Sequence, residues 1–270
     1  MIRPAISSIP VDRLEPFAKY KRRLSGVSGA NVRAQLTKIA KLKISLGNLK
    51  LGIRVYTFSM PAGKEWTCPG ETSVCERCYA KRGLFLNTSV QKRYKENYAA
   101  AMLPEFVPDM IHTVRAHRVQ LFRKHVSGDY FDDAYVDKWR QILHHTRGTQ
   151  YWAYTRSWQE ESIVYNLAAL AAMSNMQLWL SADRKTGRPP IIPYTRVAYM
   201  SVHDLDKPPY PCDLVFRDRP RTKQLFMNGN RVCPVENGTV AGSKLTCERC
   251  GLCWDQEKLV KLDYKLPAAG

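Results

Sequence analysis

Two hydrophobic patterns alternate through the middle of the chain, and they predict a succession of strands and helices. Short runs rich in β-branched and aromatic residues predict strands, whereas apolar positions three or four residues apart predict helices. The predicted strands are Ile53–Met60, Gln120–Val126, Gln150–Tyr154, Met176–Leu180, Val197–Val202 and Leu214–Phe216. The predicted helices are residues 31–46, Val90–Met102, Glu105–Arg118, a segment from Asp132 through His145, and Trp158–Met173.

Residues suited to starting or stopping a helix lie between several of these segments. Thr88 and Ser89 can cap the helix that follows them, and Pro104 ends it. Asp132 and Asp133 can cap the helix that ends at His145.

The alternation of strands and helices predicts an α/β fold with a parallel sheet, in the form of a partial (βα)6 TIM-like barrel of about six strands. In such folds the functional site lies at the carboxyl ends of the strands. Four predicted strands end in polar or cysteine-bearing segments, which we call the strand tips. They are Thr67–Ala80, Ser127–Asp129, Thr155–Ser157 and Ser181–Arg184.

The first of these segments carries the densest chemistry in the sequence. Thr67–Ala80, the cysteine loop, places Cys68, Cys75 and Cys78 at C-x6-C-x2-C spacing. Three thiolates are one short of a closed four-thiolate site, so a metal held here keeps an open coordination position, as expected where chemistry occurs. The loop can hold a [4Fe–4S] cluster with one open iron, or a zinc ion completed by Cys212 or a histidine.

A second set of cysteines lies in the tail, Arg231–Asp255. Cys233 precedes a proline, and Cys247, Cys250 and Cys253 follow at C-x2-C-x2-C spacing. The residues between are polar and Gly-rich, so a metal is expected to organise the tail as a separate compact unit. The spacing resembles loops that wrap a [4Fe–4S] cube, with zinc as the alternative. A four-thiolate cluster is closed, so it is structural or electron-carrying.

One cysteine, Cys212, belongs to neither set. It can serve as a fourth ligand for the cysteine loop, as a hydrogen-atom donor in catalysis, or as a buried thiol without a chemical role.

Composition narrows the class of protein. The chain has 270 residues, of which 44% are hydrophobic, enough for one large domain with a real core. No apolar run approaches the length of a transmembrane helix, and charges and prolines occupy the N-terminal stretch where a signal peptide has its apolar region. We expect a cytoplasmic protein without a membrane partner, in which clustered cysteines are metal ligands rather than disulfides.

The charge is strongly basic and unevenly spread. The net charge is +18, and the first 50 residues carry 11 Lys and Arg against 2 Asp and Glu, a net +9. This pattern predicts a DNA or RNA partner, and a generally basic surface that aids solubility is the alternative. The predicted phosphate contacts are Lys19, Lys21, Arg22, Arg23, Arg33, Lys38, Lys41 and Lys43.

These observations divide the chain into three predicted parts. Residues 1–46 form a basic N-terminal arm with a short helix, residues 47–220 form the partial α/β barrel, and residues 221–270 form the cysteine-rich tail.

Six segments resemble the phage "gene product 88" family over most of residues 47–254. They are GNLKLG (47–52), SMPAGKEWTCPG (59–70), CERCYAKRG (75–83), HVSGDYFDDAYVDKW (125–139), YTRS (154–157) and CERCGLCW (247–254). The order of strand, three-cysteine loop, helix and strand ending in Gly-acid is also similar to the start of a radical S-adenosylmethionine (SAM) core. The first gap between cysteines is longer here than in that superfamily, and it still permits a cube.

The resemblance implies a radical SAM-like barrel. SAM would chelate the open iron and be cleaved reductively to modify a nucleic acid or nucleotide, with a reductant protein as electron source. Asp129 would meet the amino group of SAM, and Tyr79 would line the adenine pocket. The other implied cofactor contacts are Ser127, Gly128, Tyr154, Arg156, Ser181 and Arg184, and the candidate catalytic residues are Asp129 and Cys212.

Other interpretations stay open from the sequence. Asp129 can be a helix N-cap, and Arg156 can pair with Glu160 or Glu161 on the following helix. The whole chain can also be a non-catalytic iron–sulfur or zinc protein that binds nucleic acid in the replication or transcription of a phage or plasmid. A phage-encoded protein would then work in the host cell cytoplasm.

Overall fold

A seven-stranded sheet forms the centre of the protein. The computed structural model describes residues 29–202, 206–218, 222–236, 244–255 and 258. The sheet order follows the chain from β1 to β7; β1 is antiparallel to β2, and the remaining neighbours are parallel. The strands are β1 (Ser45–Leu46), β2 (Val55–Phe58), β3 (Leu121–Lys124), β4 (Gln150–Thr155), β5 (Met176–Ala182), β6 (Thr195–Ser201) and β7 (Leu214–Arg217). The predicted α/β class with a mostly parallel sheet is confirmed.

The long helices cover one face of this sheet. Right-handed crossovers place their helices on a single face when each new parallel strand is added at the same edge. Phe58, Phe122 and Tyr151 accordingly pack in one core with Trp139 and Leu167 from the helices. The helices are α1 (Gly29–Ile39), α2 (Thr88–Met102), α3 (Phe106–Ala116), α4 (Asp133–His145), α5 (Glu161–Ala171) and the short α6 (Cys247–Cys250).

The described part of the tail covers the opposite face. Side chains alternate along a strand, so Trp152 of β4 and Trp179 of β5 point away from the helices, and they pack against the tail cysteines. The backbone N–H of Cys247 donates to Lys50 O (2.9 Å), and that of Cys233 donates to Val215 O (2.9 Å). The tail is therefore attached to the sheet and shares apolar contacts with it, unlike the separate unit predicted from its composition.

The first predicted helix was too long at its C-terminal end. It ends at Ile39, and Ser45–Leu46 pair with β2 as an edge strand. The buried Asn97 of α2 explains the extended backbone: its side chain accepts from Lys43 N (2.8 Å) and donates to Lys43 O (3.0 Å). This contact is 54 residues distant in sequence, so helical periodicity alone could not reveal it.

Two other local features bear on the predictions. Asn87, rather than Thr88 or Ser89, precedes the first turn of α2, and its side chain makes no capping bond. The predicted cap of α4 is confirmed, because the Asp132 side chain accepts from Tyr135 N (2.7 Å).

A short hairpin, β8 (Phe226–Met227) and β9 (Asn230–Arg231), was missed. Its Asn-Gly turn has positive φ at both positions, the usual chemistry of a two-residue hairpin loop.

None of the helices in the described residues is both long enough and apolar enough to cross a membrane.

A lysine lies in the core between the sheet and α4. Lys124 follows Phe122 by two residues, so its side chain points to the helix face, where it is fully buried. Its Nζ lies 4.9 Å from the ring centroid of Trp139 and 5.2 Å from that of Tyr130. This nitrogen has no hydrogen-bond partner among the described residues. Burial therefore lowers the pKa of Lys124 well below its ordinary value, and the neutral amine is favoured in the folded protein.

We expect Lys124→Met to increase the free energy of unfolding near pH 7 by about 1–3 kcal/mol, because it removes a desolvated amine and keeps the length of the side chain. The lowered pKa means that the unfolded chain binds more protons than the folded protein between the two pKa values. The stability of the parent protein therefore rises with pH in this window, and the advantage of Lys124→Met shrinks toward about pH 10. Urea unfolding at several pH values measures both effects.

The exposed Lys95, whose Nζ lies 5.5 Å from the ring centroid of Trp66, provides the matched control. Lys95→Met is expected to change the stability by less than about 0.5 kcal/mol at any pH. A Lys124→Met protein that is less stable than the parent near pH 7, with the loss disappearing above about pH 10, would show that the aromatic rings stabilise a charged ammonium.

Candidate functional site

A cavity of about 590 Å³ lies between the tail and the carboxyl ends of the parallel strands. It is lined by the cysteine loop, by the tips of β3, β4 and β5, and by the tail. The two sets of cysteines predicted as ligands therefore face one space. Its lining includes Cys68, Cys75, Cys78, Cys233, Cys247, Cys250 and Cys253.

Short helical turns bring the cysteines of each C-x2-C pair together. Ser73–Arg77 form a 3-10 turn, and Cys78 N donates to Cys75 O (3.0 Å) at its end. Residues three apart lie above one another in such a turn, so Cys75 and Cys78 share one side. In the tail, α6 does the same for Cys247 and Cys250, and Gly251 then ends the helix in the left-handed conformation.

The cysteine loop is in close contact with the tips of β3 and β4. Gly128, at the tip of β3, has φ +87°, and a Cβ there would lie 2.6 Å from Thr67 Oγ1. A Cβ on Gly70 would lie 2.1 Å from the carbonyl oxygen of Arg156. Only glycine permits these approaches, so the loop sits directly on the strand ends.

Asp129 is buried beside the cysteine loop and lines the cavity. Its carboxylate accepts from Arg156 N (2.8 Å) and from Tyr130 N (2.7 Å). Burial raises the pKa of Asp129 to about 6, although these hydrogen bonds oppose the shift. Asp129 is not the cap of α4, which is Asp132, and part of its bonding capacity already joins β3 to β4.

Arg156 forms an ion pair across the strand tips. Its partner is Asp183 at the end of β5, rather than Glu160 or Glu161 as one interpretation of the sequence had it. Thr72 of the cysteine loop completes the contact: Arg156 Nη1 donates to Thr72 Oγ1 (3.2 Å), which donates to Asp183 Oδ2 (3.0 Å). Burial alone would raise the pKa of Asp183, but the Arg156 guanidinium and nearby backbone N–H groups hold it below its ordinary value.

The remaining predicted contact residues divide into two groups. Ser127, Tyr79, Tyr154 and Ser181 line the cavity together with Gly128 and Asp129. Arg184 does not: its exposed guanidinium pairs with Asp206 (3.1 Å). Arg184 lies beyond the end of β5, in the turn that follows it, whereas Ser181 is within the strand.

Cys212 also lies apart from the cavity. Its side chain packs in a small apolar cluster with Val215, Met227 and Val232, and its backbone N–H donates to Asn230 Oδ1 (2.6 Å). The geometry therefore separates Cys212 from the seven other cysteines, and its surroundings are those of a thiol in an apolar core.

The backbone of the tail cysteines is held by hydrogen bonds from the sheet and from within the tail. Trp179 Nε1 donates to Cys253 O (3.0 Å), and Trp254 Nε1 donates to Cys247 O (3.2 Å). Cys233 is buried against Trp179 and Leu214. These contacts fix the backbone of the tail set without using its sulfur atoms.

The environment of six of the cavity thiols opposes their ionisation. Burial raises the pKa of Cys233 to about 12, and neighbouring thiolates add to the effect within each set. No three Cys, His, Asp or Glu side chains in the described ranges are close enough to hold a single metal ion. The donor chemistry suits soft metals, and a polynuclear cluster spaces its thiolates more widely than one ion does because each ligates a different iron. Burial raises the pKa of Cys68, Cys78, Cys233, Cys247, Cys250 and Cys253.

The predicted nucleic-acid contacts lie away from this cavity where they are described. Lys19, Lys21, Arg22 and Arg23 fall outside the described residues. Arg33 pairs with Glu105 and Lys43 with Glu96 (3.8 Å), whereas Lys38 and Lys41 are exposed. Nucleic-acid binding by the N-terminal arm therefore remains a prediction.

Sequence reasoning missed Lys50, Thr72, Arg123 and Asp183. Arg123 carried a usable signal, since alternation along β3 sets it opposite Phe122 and Lys124. Thr72 and Asp183 lie within the predicted strand tips, but the sequence could not reveal their contact with Arg156, because it joins segments that are distant along the chain.

The fold and the site together define an α/β protein whose parallel sheet bears a cavity lined by two sets of cysteines. The chain belongs to the Gene product 88 family, whose sequence profile matches residues 27–256. The predicted membership is thereby confirmed.

Two phage proteins are similar to this chain. The Gene 88 proteins of Mycobacterium phage D29 and Mycobacterium phage L5 are each 29% identical to it, over 149 and 152 residues. Each match covers 51% of this chain and 60% of the phage protein, so the chain spans about 60% of the length of the curated relatives it matches. No solved structure matches the chain.

We expect Arg156→Gln to lower the free energy of unfolding by about 3 kcal/mol, because Asp183 would be left buried without its ion-pair partner. The lowered pKa of Asp183 contributes stability that is present above the unfolded pKa and is lost as the pH falls. The difference between the two proteins therefore narrows below about pH 4. Urea unfolding of the metal-free protein provides the measurement.

Arg184→Gln is the matched control, because its ion pair is exposed and should contribute less than about 1 kcal/mol. Equal losses for the two variants would mean that the Arg156–Asp183 pair does not hold the strand tips together.

Proposed function

We propose that this protein is an iron–sulfur enzyme of the radical SAM type. The observation that carries the proposal is that seven of the eight cysteines line one cavity at the carboxyl ends of the parallel strands, in a set of three and a set of four. A set of three thiolates leaves a coordination position for a small molecule, and a set of four is closed.

The residues present fit two [4Fe–4S] clusters by their donor chemistry. Cys68, Cys75 and Cys78 would hold the first cluster, and the four tail cysteines would hold the second. A cluster with an open iron, when bound, supplies an electron for the reductive cleavage of SAM. Metal binding would displace the protons that burial favours on these thiols, and this explains how buried thiols can act as ligands.

The protein's own groups would position SAM and keep water away. Ser127, Gly128 and Asp129 follow the second parallel strand and lie against the cysteine loop, which suits contact with the amino group of SAM. Tyr79 and Tyr154 offer aromatic surfaces for the adenine, and Ser181 offers a hydroxyl for the carboxylate or ribose. Arg156 is reserved for the ion pair with Asp183, so we assign it a positioning role.

The sheet supports the proposed barrel. Six parallel strands in sequence order, β2 to β7, with their long helices on one face, are the arrangement from which a partial (βα)6 barrel is built. The cysteine loop follows β2, the first of these strands, as it does in a radical SAM core.

The proposed substrate is a nucleic acid or nucleotide. The support is the net charge of +18 and the concentration of Lys and Arg in residues 1–46. A reductant protein would supply electrons, and the proposed site of action is the cytoplasm of the host cell.

The anaerobically purified or reconstituted protein is expected to contain about eight iron atoms and a matching amount of acid-labile sulfide per chain. Cys75→Ser should reduce the iron content to about four, because only the tail cluster remains. Iron and sulfide analysis with a visible absorption spectrum measures this result.

Cys212→Ser provides the matched control and should keep about eight iron atoms, since Cys212 lies outside the cavity. Zinc in place of iron in the parent protein would overturn the enzyme proposal. Loss of iron in Cys212→Ser would make Cys212 a ligand despite its distance from the other thiols.

The iron-loaded protein is expected to form 5′-deoxyadenosine from SAM when dithionite supplies electrons. Cys75→Ser should abolish this product, and Asp129→Ala should reduce it at least about tenfold by weakening contact with the SAM amino group. Chromatography of anaerobic reactions detects the product.

Iron-loaded protein that forms no 5′-deoxyadenosine would leave the non-catalytic alternative. In that case salt-dependent nucleic-acid binding should survive Asp129→Ala and be lost when residues 1–45 are removed.

A further inference from the structure

Arg123 lines the cavity without an ion-pair partner among the residues that the structure describes. It lies on the tail-facing side of β3, and its guanidinium carbon is 5.5 Å from the ring centroid of Tyr154. Its Nε is buried and has no hydrogen-bond partner among the described residues. No carboxylate in the described part of the chain forms an ion pair with Arg123. Four other cations of the lining do have such partners: Lys50–Glu236, Lys81–Glu71, Arg82–Asp218 and Arg156–Asp183.

The neighbours of Arg123 belong to the tail set of cysteines. Trp152, its register partner on β4, and Tyr154 both pack against Cys247 and Cys253. The Arg123 guanidinium therefore lies on the part of the sheet that Cys247 and Cys253 cover. The floor of the cavity therefore presents a fixed positive charge to the tail thiols.

Lys50 adds a second, weaker cation on the same side. Its backbone oxygen accepts from Cys247 N (2.9 Å), so Lys50 lies beside the tail set at the edge of the cavity. Glu236 lies 3.1 Å from this ammonium and cancels much of its charge. Of the two cations, Arg123 thus retains its full charge.

An uncompensated guanidinium in a desolvated position requires a negative charge nearby. Four thiolates provide that charge when they bind a metal. A zinc ion would keep the charge of the site constant, whereas a redox cluster becomes more negative by one unit when it is reduced. A fixed cation next to such a cluster stabilises the reduced form, and this is one way in which proteins set reduction potentials.

We propose that Arg123 is the countercharge of the tail cysteine site, and that this site transfers electrons rather than serving structure alone. The inference rests on the proposed function, since it requires an iron–sulfur cluster at the tail. One electron from a low-potential reductant protein would enter there and pass on to the cysteine loop, with no bond made or broken at the tail. Arg123 acts as a positioning residue, because it stabilises the added charge without ligating iron.

The test uses the full-length chain with Cys68, Cys75 and Cys78 all changed to Ser, so that the tail cluster is measured alone. Iron analysis should give about four iron atoms per chain. An anaerobic redox titration followed by electron paramagnetic resonance then gives the midpoint potential. Adding Arg123→Gln should shift the reduction equilibrium at least about tenfold toward the oxidised cluster, equivalent to about 59 mV for one electron.

Three further variants separate charge from structure. Arg123→Lys, which keeps the charge, should restore most of the parent potential. Lys50→Gln should shift the equilibrium in the same direction as Arg123→Gln but by less, because Glu236 already neutralises Lys50. Arg82→Gln is the matched control, since Arg82 lines the same cavity but pairs with Asp218 at 3.2 Å, and it should leave the potential unchanged.

The outcomes distinguish this inference from the proposed function. A tail set that binds zinc or no metal overturns the proposed function at this site, and the inference with it. An iron-containing tail cluster whose potential is the same in the parent, in Arg123→Lys and in Arg123→Gln overturns the inference alone. Equal shifts in Arg123→Lys and Arg123→Gln also overturn it, because they would show a packing effect rather than a charge effect. If Arg123→Gln does not fold, Lys50→Gln provides the test. A shift toward the oxidised cluster supports the inference, and no shift or a shift toward the reduced cluster overturns it.

Discussion

The buried ion pair between Arg156 and Asp183 joins the ends of β4 and β5 and holds the cysteine loop against them. Arg156 follows β4, Asp183 follows β5, and Thr72 of the cysteine loop bonds to both. A buried charge pair is stable only when its geometry and additional hydrogen bonds offset desolvation. Asp183 satisfies this condition through backbone N–H groups of Lys185 and Thr186. The loop that carries three cysteines is therefore fixed to two strand ends by the requirement that one carboxylate be satisfied.

The order in which the strands join the sheet determines which face the long helices leave uncovered. Because β2 to β7 follow one another in order, the long helices cover one face and leave the opposite face for the tail. The aromatic residues Trp152 and Trp179 fill the space under the tail, so the second set of cysteines meets the first across a common cavity. Two cysteine motifs separated by more than 150 residues in sequence thus belong to one site.

Carboxylates pair with four of the cations that line the cavity. These pairs include Lys81–Glu71, Arg82–Asp218 and Arg156–Asp183, and the buried Asp129 lies beside the cysteine loop. Arg123, in the tail-facing floor, has no ion pair with a carboxylate among the described residues, and its neighbours Trp152 and Tyr154 pack with Cys247 and Cys253. The two sets of cysteines therefore have different electrostatic surroundings, which is consistent with different roles in the proposed chemistry.

The sequence by itself determined the parallel strands β2 to β7, the long helices between them, the family and the two cysteine sets. These follow from local periodicity and from spacing along the chain, as the match between predicted and observed α4 and β4 illustrates. Only the tertiary structure decided that Asn97 holds Lys43 in an extended conformation, that Arg156 pairs with Asp183, and that Arg184 and Cys212 lie outside the cavity. The physical reason is that a buried polar group takes whichever partner packing brings within hydrogen-bond distance, and that partner is often far away in sequence.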